Sequence, residues 1–279
     1  MQYTRIVDEQ ELARSLSQSG TAVLCGGTDL LVRMRNGLEA PEHVLDISDL
    51  SSLRGIGESE GWIAIGAATI QSELLASPLI RRRLPLLAAA LHVLGSVQIR
   101  NRGTLGGNLV NASPAADSAV PLLAYDAEVL LASSTGKRHL TVDRFLLGPS
   151  QTALEPGEYV RAIRIPVPEA GQRVFYHKVG KRRALTIAIA SLGVAASLDE
   201  HRVTDIRIAA GSVAPTPLRL RSVEHAIIGQ ELDETMIAEA GRLAAEAVTP
   251  IDDVRATADY RRAVVGDLVI RALQGFLAR

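Results

Sequence analysis

The chain has 279 residues, 47% hydrophobic and 22% charged, a balance that excludes an intrinsically disordered protein and leaves material for two folded domains. Its 30 basic and 31 acidic residues give a formal net charge of −1, which excludes the electrostatic footprint of a nucleic-acid binder. A single cysteine, Cys25, excludes an intrachain disulfide and any iron–sulfur cluster ligated by this chain alone.

The first residues lack a basic region followed by an apolar core, and no apolar run is long enough to cross a bilayer, so a cytoplasmic protein is expected. A strand over 3–6 leads to a helix over 9–18, with Asp8 and Glu11 as a capping box and Gly20 as its end. Then comes Val23-Leu24-Cys25-Gly26-Gly27-Thr28-Asp29-Leu30-Leu31. Residues 21–24 read as a short buried strand and the glycine pair as a tight turn. Thr28 or Asp29 is the N-cap of a helix that runs to Asn36 and stops at Gly37. Amides at such a helix start face an anion with the positive end of the helix dipole behind them. Cys25, in the apolar strand, reads as a small buried residue rather than a nucleophile. A strand over 43–47 completes an alternating unit with parallel pairing.

From Leu53 the period changes. Residues 53–56 and 62–65 flank a hairpin turn at 58–61, and Thr69 caps a short helix reaching Leu75. Ser77-Pro78 starts a helical stretch to Leu94 with Gly95 as the exit, and its Arg81-Arg82-Arg83 reads as a solvated face. The stretch from Gly103 to Asp117 follows. Gly103, Gly106 and Gly107 put three glycines within five residues, so successive amides can curl into a concave anion site. Thr104, Asn108, Asn111 and Ser113 add short hydrogen-bonding side chains, and Asp117 a single carboxylate ahead of the apolar run 119–123. That mixture suits a ligand carrying both phosphates and hydroxyls. Taken singly, each glycine stretch is also what an ordinary turn or close packing uses.

Residues 127–132 and 137–140 form a second hairpin across Ser134-Thr135-Gly136. Its Ser134 and Lys137 have a Ser-x-x-Lys spacing, but the companion motifs of that hydrolase class are missing. A strand over 160–165 ends at Pro166 and Pro168, a domain boundary. Strands over 175–179, 191–198 and 203–211 follow, the last two joined by a turn at 199–202, and then helices over 219–228, 233–248 and 259–277. No dinucleotide fingerprint, P-loop or nucleophile elbow is present, and the six histidines are scattered without metal-ligand spacing.

Three segments carry a resemblance. The strand-Gly-Gly-Thr-Asp-Leu-helix unit around Gly26 resembles the first flavin-binding segment of the FAD-binding, or medium, subunits of molybdenum hydroxylases, the xanthine dehydrogenase and carbon monoxide dehydrogenase family. Thr104-Leu105-Gly106-Gly107-Asn108, with Ala112-Ser113-Pro114 and Asp117, resembles the second. Lys178-Val179-Gly180-Lys181-Arg182-Arg183 followed by Ile187-Ala188 resembles the basic segment that opens these subunits' C-terminal domain. Motif order, spacing and length agree over nearly the whole chain. The resemblance implies an α+β protein. An FAD-binding fold of the vanillyl-alcohol-oxidase type would span 1–168, with subdomains of about 1–52 and 53–168. A C-terminal antiparallel sheet with helices would span 169–279.

The resemblance also assigns roles. Val23, Leu24, Cys25, Gly26, Gly27, Thr28, Asp29 and Leu30 would wrap the FAD pyrophosphate. Thr104, Leu105, Gly106, Gly107 and Asn108 would close over the diphosphate and ribityl chain, and Asp117 would accept hydrogen bonds from the cofactor. Leu94 and Val160 match positions that line its apolar surroundings. Lys178 matches a basic position that reaches toward the flavin, where a cation favours the anionic reduced form. Residues 178–183 also fit a solvated basic loop or a subunit contact. Two departures stand out: Thr186 lies near a position that is often acidic in the xanthine dehydrogenases, and the cysteine-rich insert of the hydroxybenzoyl-CoA reductases is missing.

The implied complex has a large molybdenum-cofactor subunit and a small subunit with two [2Fe–2S] clusters, arranged as a dimer of heterotrimers. Electrons would pass from the clusters to FAD on this chain and out to NAD, oxygen or a quinone-type acceptor, with no catalytic acid or nucleophile and no metal here. Two other readings stay open. One is a stand-alone FAD-dependent reductase or oxidase, like the UDP-N-acetylenolpyruvoylglucosamine reductases, and the other a scaffold that has lost FAD.

Overall fold

The structure is a computed structural model and describes residues 1–182 and 186–278. Strand β1 (Gln2–Arg5) and helix α1 (Glu9–Ser15) open the chain. Asp8 accepts from the Glu11 N–H at 2.7 Å and Glu11 accepts from the Val7 N–H at 3.0 Å. The capping box therefore closes one residue earlier than its usual form. Strand β2 (Thr21–Leu24), helix α2 (Leu30–Arg35) and strand β3 (His43–Asp46) follow, and both β1 and β2 pair in parallel with β3. Ile6, Leu12, Leu45, Leu50 and Leu53 form the core of this layer, with Cys25 packed against it.

A 3₁₀ turn at Ser51–Leu53 precedes β4 (Ile56–Ser59), which therefore starts later than the sequence suggests. It pairs with β5 (Trp62–Gly66) across Glu60 and Gly61, at φ 51° and 78°, so the turn is the two-residue kind that suits strand twist. Helix α3 (Gln71–Ala76) is capped by Ile70 rather than Thr69, whose hydroxyl bonds to the Gly55 backbone instead. The long helix expected up to Leu94 is two, α4 (Pro78–Arg83) and α5 (Pro85–Val93), because Pro85 has no N–H with which to continue the first. Arg81, Arg82 and Arg83 are exposed, as expected.

Short helices α6 (Val97–Arg100), α7 (Leu105–Val110) and α8 (Ala119–Ala124) occupy the stretch around the second glycine group. Strands β6 (Glu128–Ala132) and β7 (Lys137–Thr141) form the second hairpin. Helix α9 (Val142–Phe145) and the small pair β8 (Leu146–Gly148) and β9 (Gln151–Thr152) lead to β10 (Tyr159–Pro166). Strand β10 joins the two hairpins in an antiparallel sheet of order β4-β5-β10-β6-β7.

The rest is the antiparallel sheet β11 (Arg173–Val179), β12 (Ala190–Asp199), β13 (Arg202–Gly211) and β14 (Leu218–Arg219), then helices α10 (Arg221–Ile227), α11 (Glu234–Glu246) and α12 (Ala258–Leu277). This matches the expected order closely. Arg183, the last basic residue of the third motif, lies outside the described residues.

The chain forms two compact units. One holds Met1–Ser77, Ser96–Ala112 and Ala127–Val167, and so the first two sheets. The other holds Pro78–Gly95, Ser113–Asp126 and the chain from Pro168 onward. Within this second unit β12 is buried along residues 190–196. Leu192, Val194, Ile206 and Ile208 share a core with Val265, Val269 and Leu273 of α12. The opposite face carries α5 and α8. A Cβ at Gly193 would lie 2.9 Å from Val120 Cγ1 and one at Gly211 2.9 Å from Val120 Cγ2, so these glycines let α8 lie close to the strands. The Tyr125 hydroxyl accepts from the Leu86 N–H at 3.1 Å and so satisfies a donor in the first turn of α5.

Candidate functional site

Strand β2 ends at Leu24, and the chain turns through Gly26 and Gly27, the latter at φ 72°, before α2 begins. The N–H groups of Gly26, Gly27, Thr28 and Asp29 donate to no acceptor among the described residues. Asp29 is the N-cap, but its side chain makes no capping bond, which leaves these donors open to a ligand. A run of unengaged amides with little side-chain cover fits a diphosphate, which supplies acceptor oxygens and negative charge together.

The two glycine segments meet. A Cβ on Gly26 would overlap the Arg102 carbonyl oxygen and lie 3.1 Å from Gly103 Cα. Beside this contact the Thr104 hydroxyl lies next to the Cys25 thiol. Burial pushes that thiol above its ordinary pKa, more than Thr104 and the nearby arginines pull it down, which agrees with a packing role.

The second glycine segment is not the open amide cup its composition suggests. Leu105 N–H donates to Thr69 O at 3.2 Å, Gly106 N–H to Ala67 O at 3.0 Å, Gly107 N–H to Thr104 Oγ1 at 3.1 Å and Asn108 N–H to Thr104 O at 3.1 Å. The segment is the first turn of α7, with Thr104 as its N-cap. Gly106 is buried, and a Cβ there would lie 2.6 Å from Ala67 Cβ, so this glycine serves close packing. Gly107 differs. It is exposed, and Thr104 Oγ1 alone lies within 4 Å of where its Cβ would be. The surface available to a ligand here is Gly107 and the half-buried Asn108.

Val160 belongs to the same unit, buried at the register shift between β10 and β6. Leu94, Asp117 and Lys178 belong to the other unit. Leu94 is the buried C-cap of α5.

Lys178 Nζ donates to Asp117 Oδ2 at 2.6 Å, and both side chains are at least nine-tenths buried. The Tyr176 hydroxyl donates to Asp117 Oδ1 at 3.2 Å. Burial pushes the Asp117 carboxyl above the ordinary aspartate range despite the opposing pull of the Lys178 charge and the two hydrogen bonds. Tyr176 is itself pushed far upward, by burial first and by the Asp117 charge second. The resemblance implies Lys178 as a cation reaching toward the flavin, and here it is half of a buried ion pair with Asp117. Tyr176 has no place in the sequence reading, although its position two residues before Lys178 on a strand puts both on one face.

In the basic segment, Lys181 Nζ donates to Val254 O at 2.8 Å and Arg182 is exposed. Among the described residues no cluster of His, Cys, Asp and Glu could hold a metal, and no helix is long and apolar enough to cross a membrane.

Residues 1–168 match the family model of the FAD binding domain in molybdopterin dehydrogenase, and residues 175–276 that of the CO dehydrogenase flavoprotein C-terminal domain. The carbon monoxide dehydrogenase medium chain of Hydrogenophaga pseudoflava is 36% identical over 261 residues, 94% of this chain and 91% of that one. The glyceraldehyde dehydrogenase medium chain of Sulfolobus acidocaldarius is 33% identical over 273 residues, 98% of this chain and 96% of that one. The solved carbon monoxide dehydrogenase from Hydrogenophaga pseudoflava, in a form lacking the Mo-pyranopterin moiety of its molybdenum cofactor, aligns with a TM-score of 0.95 at 34% identity, covering 100% of this chain and 97% of that chain. With two family models spanning it and relatives matched end to end, the chain belongs to the FAD-binding medium subunits of the molybdenum hydroxylase family, oxidoreductase components built as an α+β flavin domain followed by an antiparallel sheet with helices.

Proposed function

We infer that this chain is the electron-transfer subunit of a heterotrimeric molybdenum hydroxylase. It would stand between the two [2Fe–2S] clusters of a small partner subunit and an external acceptor such as NAD, oxygen or a quinone. Substrate oxidation would take place on a large subunit carrying the molybdenum cofactor. The observation that carries this reading is the run of free amides at 26–29, held by the fit of Gly26 against the Arg102 carbonyl. FAD, when bound, supplies the redox chemistry, taking up electrons singly and releasing them as a pair.

The chain's own residues bind and orient. The amides of Gly26, Gly27, Thr28 and Asp29 would hold the pyrophosphate, and Gly107 and Asn108 would lie against the ribityl end. Val23, Leu24, Cys25, Leu30, Thr104, Leu105 and Gly106 shape that surface from behind. Asp117, Lys178, Leu94 and Val160 are carried over from the family pattern. In that role the Asp117–Lys178 pair meets the cofactor as a neutral donor and acceptor rather than as a lone cation.

Purification from the native source under mild conditions tests this. Two further chains should accompany this one, with molybdenum and two [2Fe–2S] clusters per flavin. Turnover of an organic substrate by this chain alone, with an artificial acceptor, would contradict it and favour a self-contained flavoenzyme.

A further inference from the structure

Strand β11 alternates its side chains. Phe175 and Val179 pack into the core shared with α12, and His177 stacks on Phe175 with ring centroids 6.2 Å apart. Tyr176 and Lys178 therefore point to the opposite face, where Asp117 lies. In the β11–β12 register Lys178 faces Ser191 and Tyr176 faces Gly193. Ser191 is 1% exposed and lies on the same face beside Tyr176. The polarity of these bonds is fixed: Tyr176 donates to Asp117 Oδ1 and Lys178 to Asp117 Oδ2.

Stability alone does not explain this arrangement. A buried ion pair is commonly no more stabilising than apolar residues of the same volume. A phenol beside a buried carboxylate adds a further polar group that must be desolvated. Phenylalanine would fill the ring's space without that cost. What the hydroxyl adds is direction, because a carboxylate held at one oxygen can still rotate about its bond to Cβ. Donors at both oxygens, one of them on a half-buried ring held in a strand, fix its plane and the lines along which its remaining lone pairs accept.

We propose that Tyr176 is a positioning residue for the cofactor site: together with Lys178 it fixes the Asp117 carboxylate so that the unused lone pairs are aimed at hydroxyls of the cofactor. This rests on the reading of Asp117 as a cofactor contact. Its hydroxyl is spent on Asp117 Oδ1, so the effect proposed for it on the cofactor is exerted through that carboxylate.

The test is a double-mutant cycle on FAD affinity, read by flavin fluorescence in the full chain with any subunits that accompany it. Tyr176→Phe should weaken FAD binding about five- to tenfold, the net worth of one ordinary hydrogen bond. In an Asp117→Ala background the same change should have no further effect, since the residue acts through Asp117. Wild-type affinity in Tyr176→Phe would overturn the proposal. So would equal losses with and without Asp117, the pattern of a purely structural role. A wild-type chain that binds no FAD would instead overturn the function inferred above, and the two failures are distinguishable.

Discussion

Gly26, Gly106 and Gly107 look alike in the sequence and do three different things. Gly26 gives up its Cβ to the Arg102 carbonyl, Gly106 gives up its own to Ala67, and Gly107, though exposed, would set its Cβ 2.8 Å from the capping hydroxyl of Thr104. Substitutions should separate these roles. Gly106→Val overfills a packed site and should cost about 1–3 kcal/mol of stability, seen as a lowered Tm whether or not flavin is present. Gly107→Val displaces only the Thr104 cap, so it should cost the flavin-free chain about 1 kcal/mol of stability, lower its Tm less than Gly106→Val does, and reduce flavin retention more. Equal effects of the two on flavin-free stability would show that residue 107 is also packed. The glycine positions are legible in the sequence because composition marks them. Their uses are not, since Ala67, Thr69 and Arg102 come from other stretches and only the fold brings them up. The Asp117–Lys178 pair is half legible in the same way: both residues carry the family pattern, but their mutual contact spans 61 positions.

At the scale of elements, local signals read well and distant ones poorly. The Asp8–Glu11 cap, the parallel order around β3 and the long strands β12 and β13 follow from neighbouring residues. The Thr69 hydroxyl is drawn off to Gly55, and Pro85 divides a helix whose apolar pattern runs straight through it. The entry to α12 carries a pH-dependent lock. Arg261 is buried, donates to the carbonyls of Ile189 and Ser212 at 2.8 Å, and pairs with Asp253 at 2.6 Å. Burial pushes Asp253 up, but the Arg255 amide and the Arg261 and Arg255 guanidinium groups outweigh it and hold its pKa at about 2 against an ordinary 3.8. A carboxyl lowered on folding contributes stability that is complete above its unfolded pKa and is lost as pH falls through the folded one. The Tm should therefore decline between about pH 4 and pH 2, and Asp253→Asn should flatten that decline while lowering Tm at neutral pH. An acid limb unchanged in the variant would place the loss at other carboxyls.

For the molecule as a whole, the linear division proposed near residue 168 and the compact units cut the chain differently. Pro78–Gly95 and Ser113–Asp126 precede that boundary in sequence, yet they cluster with the C-terminal sheet, where α5 and α8 cover the face that Gly193 and Gly211 leave flat. Composition cannot reveal this, because apolar helices such as α5 and α8 carry no mark of the sheet they will cover. The family-level reading survives because it depends on motif order along the chain rather than on which unit a helix joins.

The central claim is that FAD is held by the open amides of 26–29, kept in place by the fit of Gly26 against the second glycine segment. The direct measurement is the visible absorption of the desalted full chain, wild type beside Gly26→Ala. The wild type should keep its flavin bands, and the alanine variant, whose methyl displaces the Arg102 backbone, should lose them while its far-UV circular dichroism stays that of a folded α+β protein. A folded alanine variant that retains a full complement of flavin, or a wild type that retains none, would contradict the account.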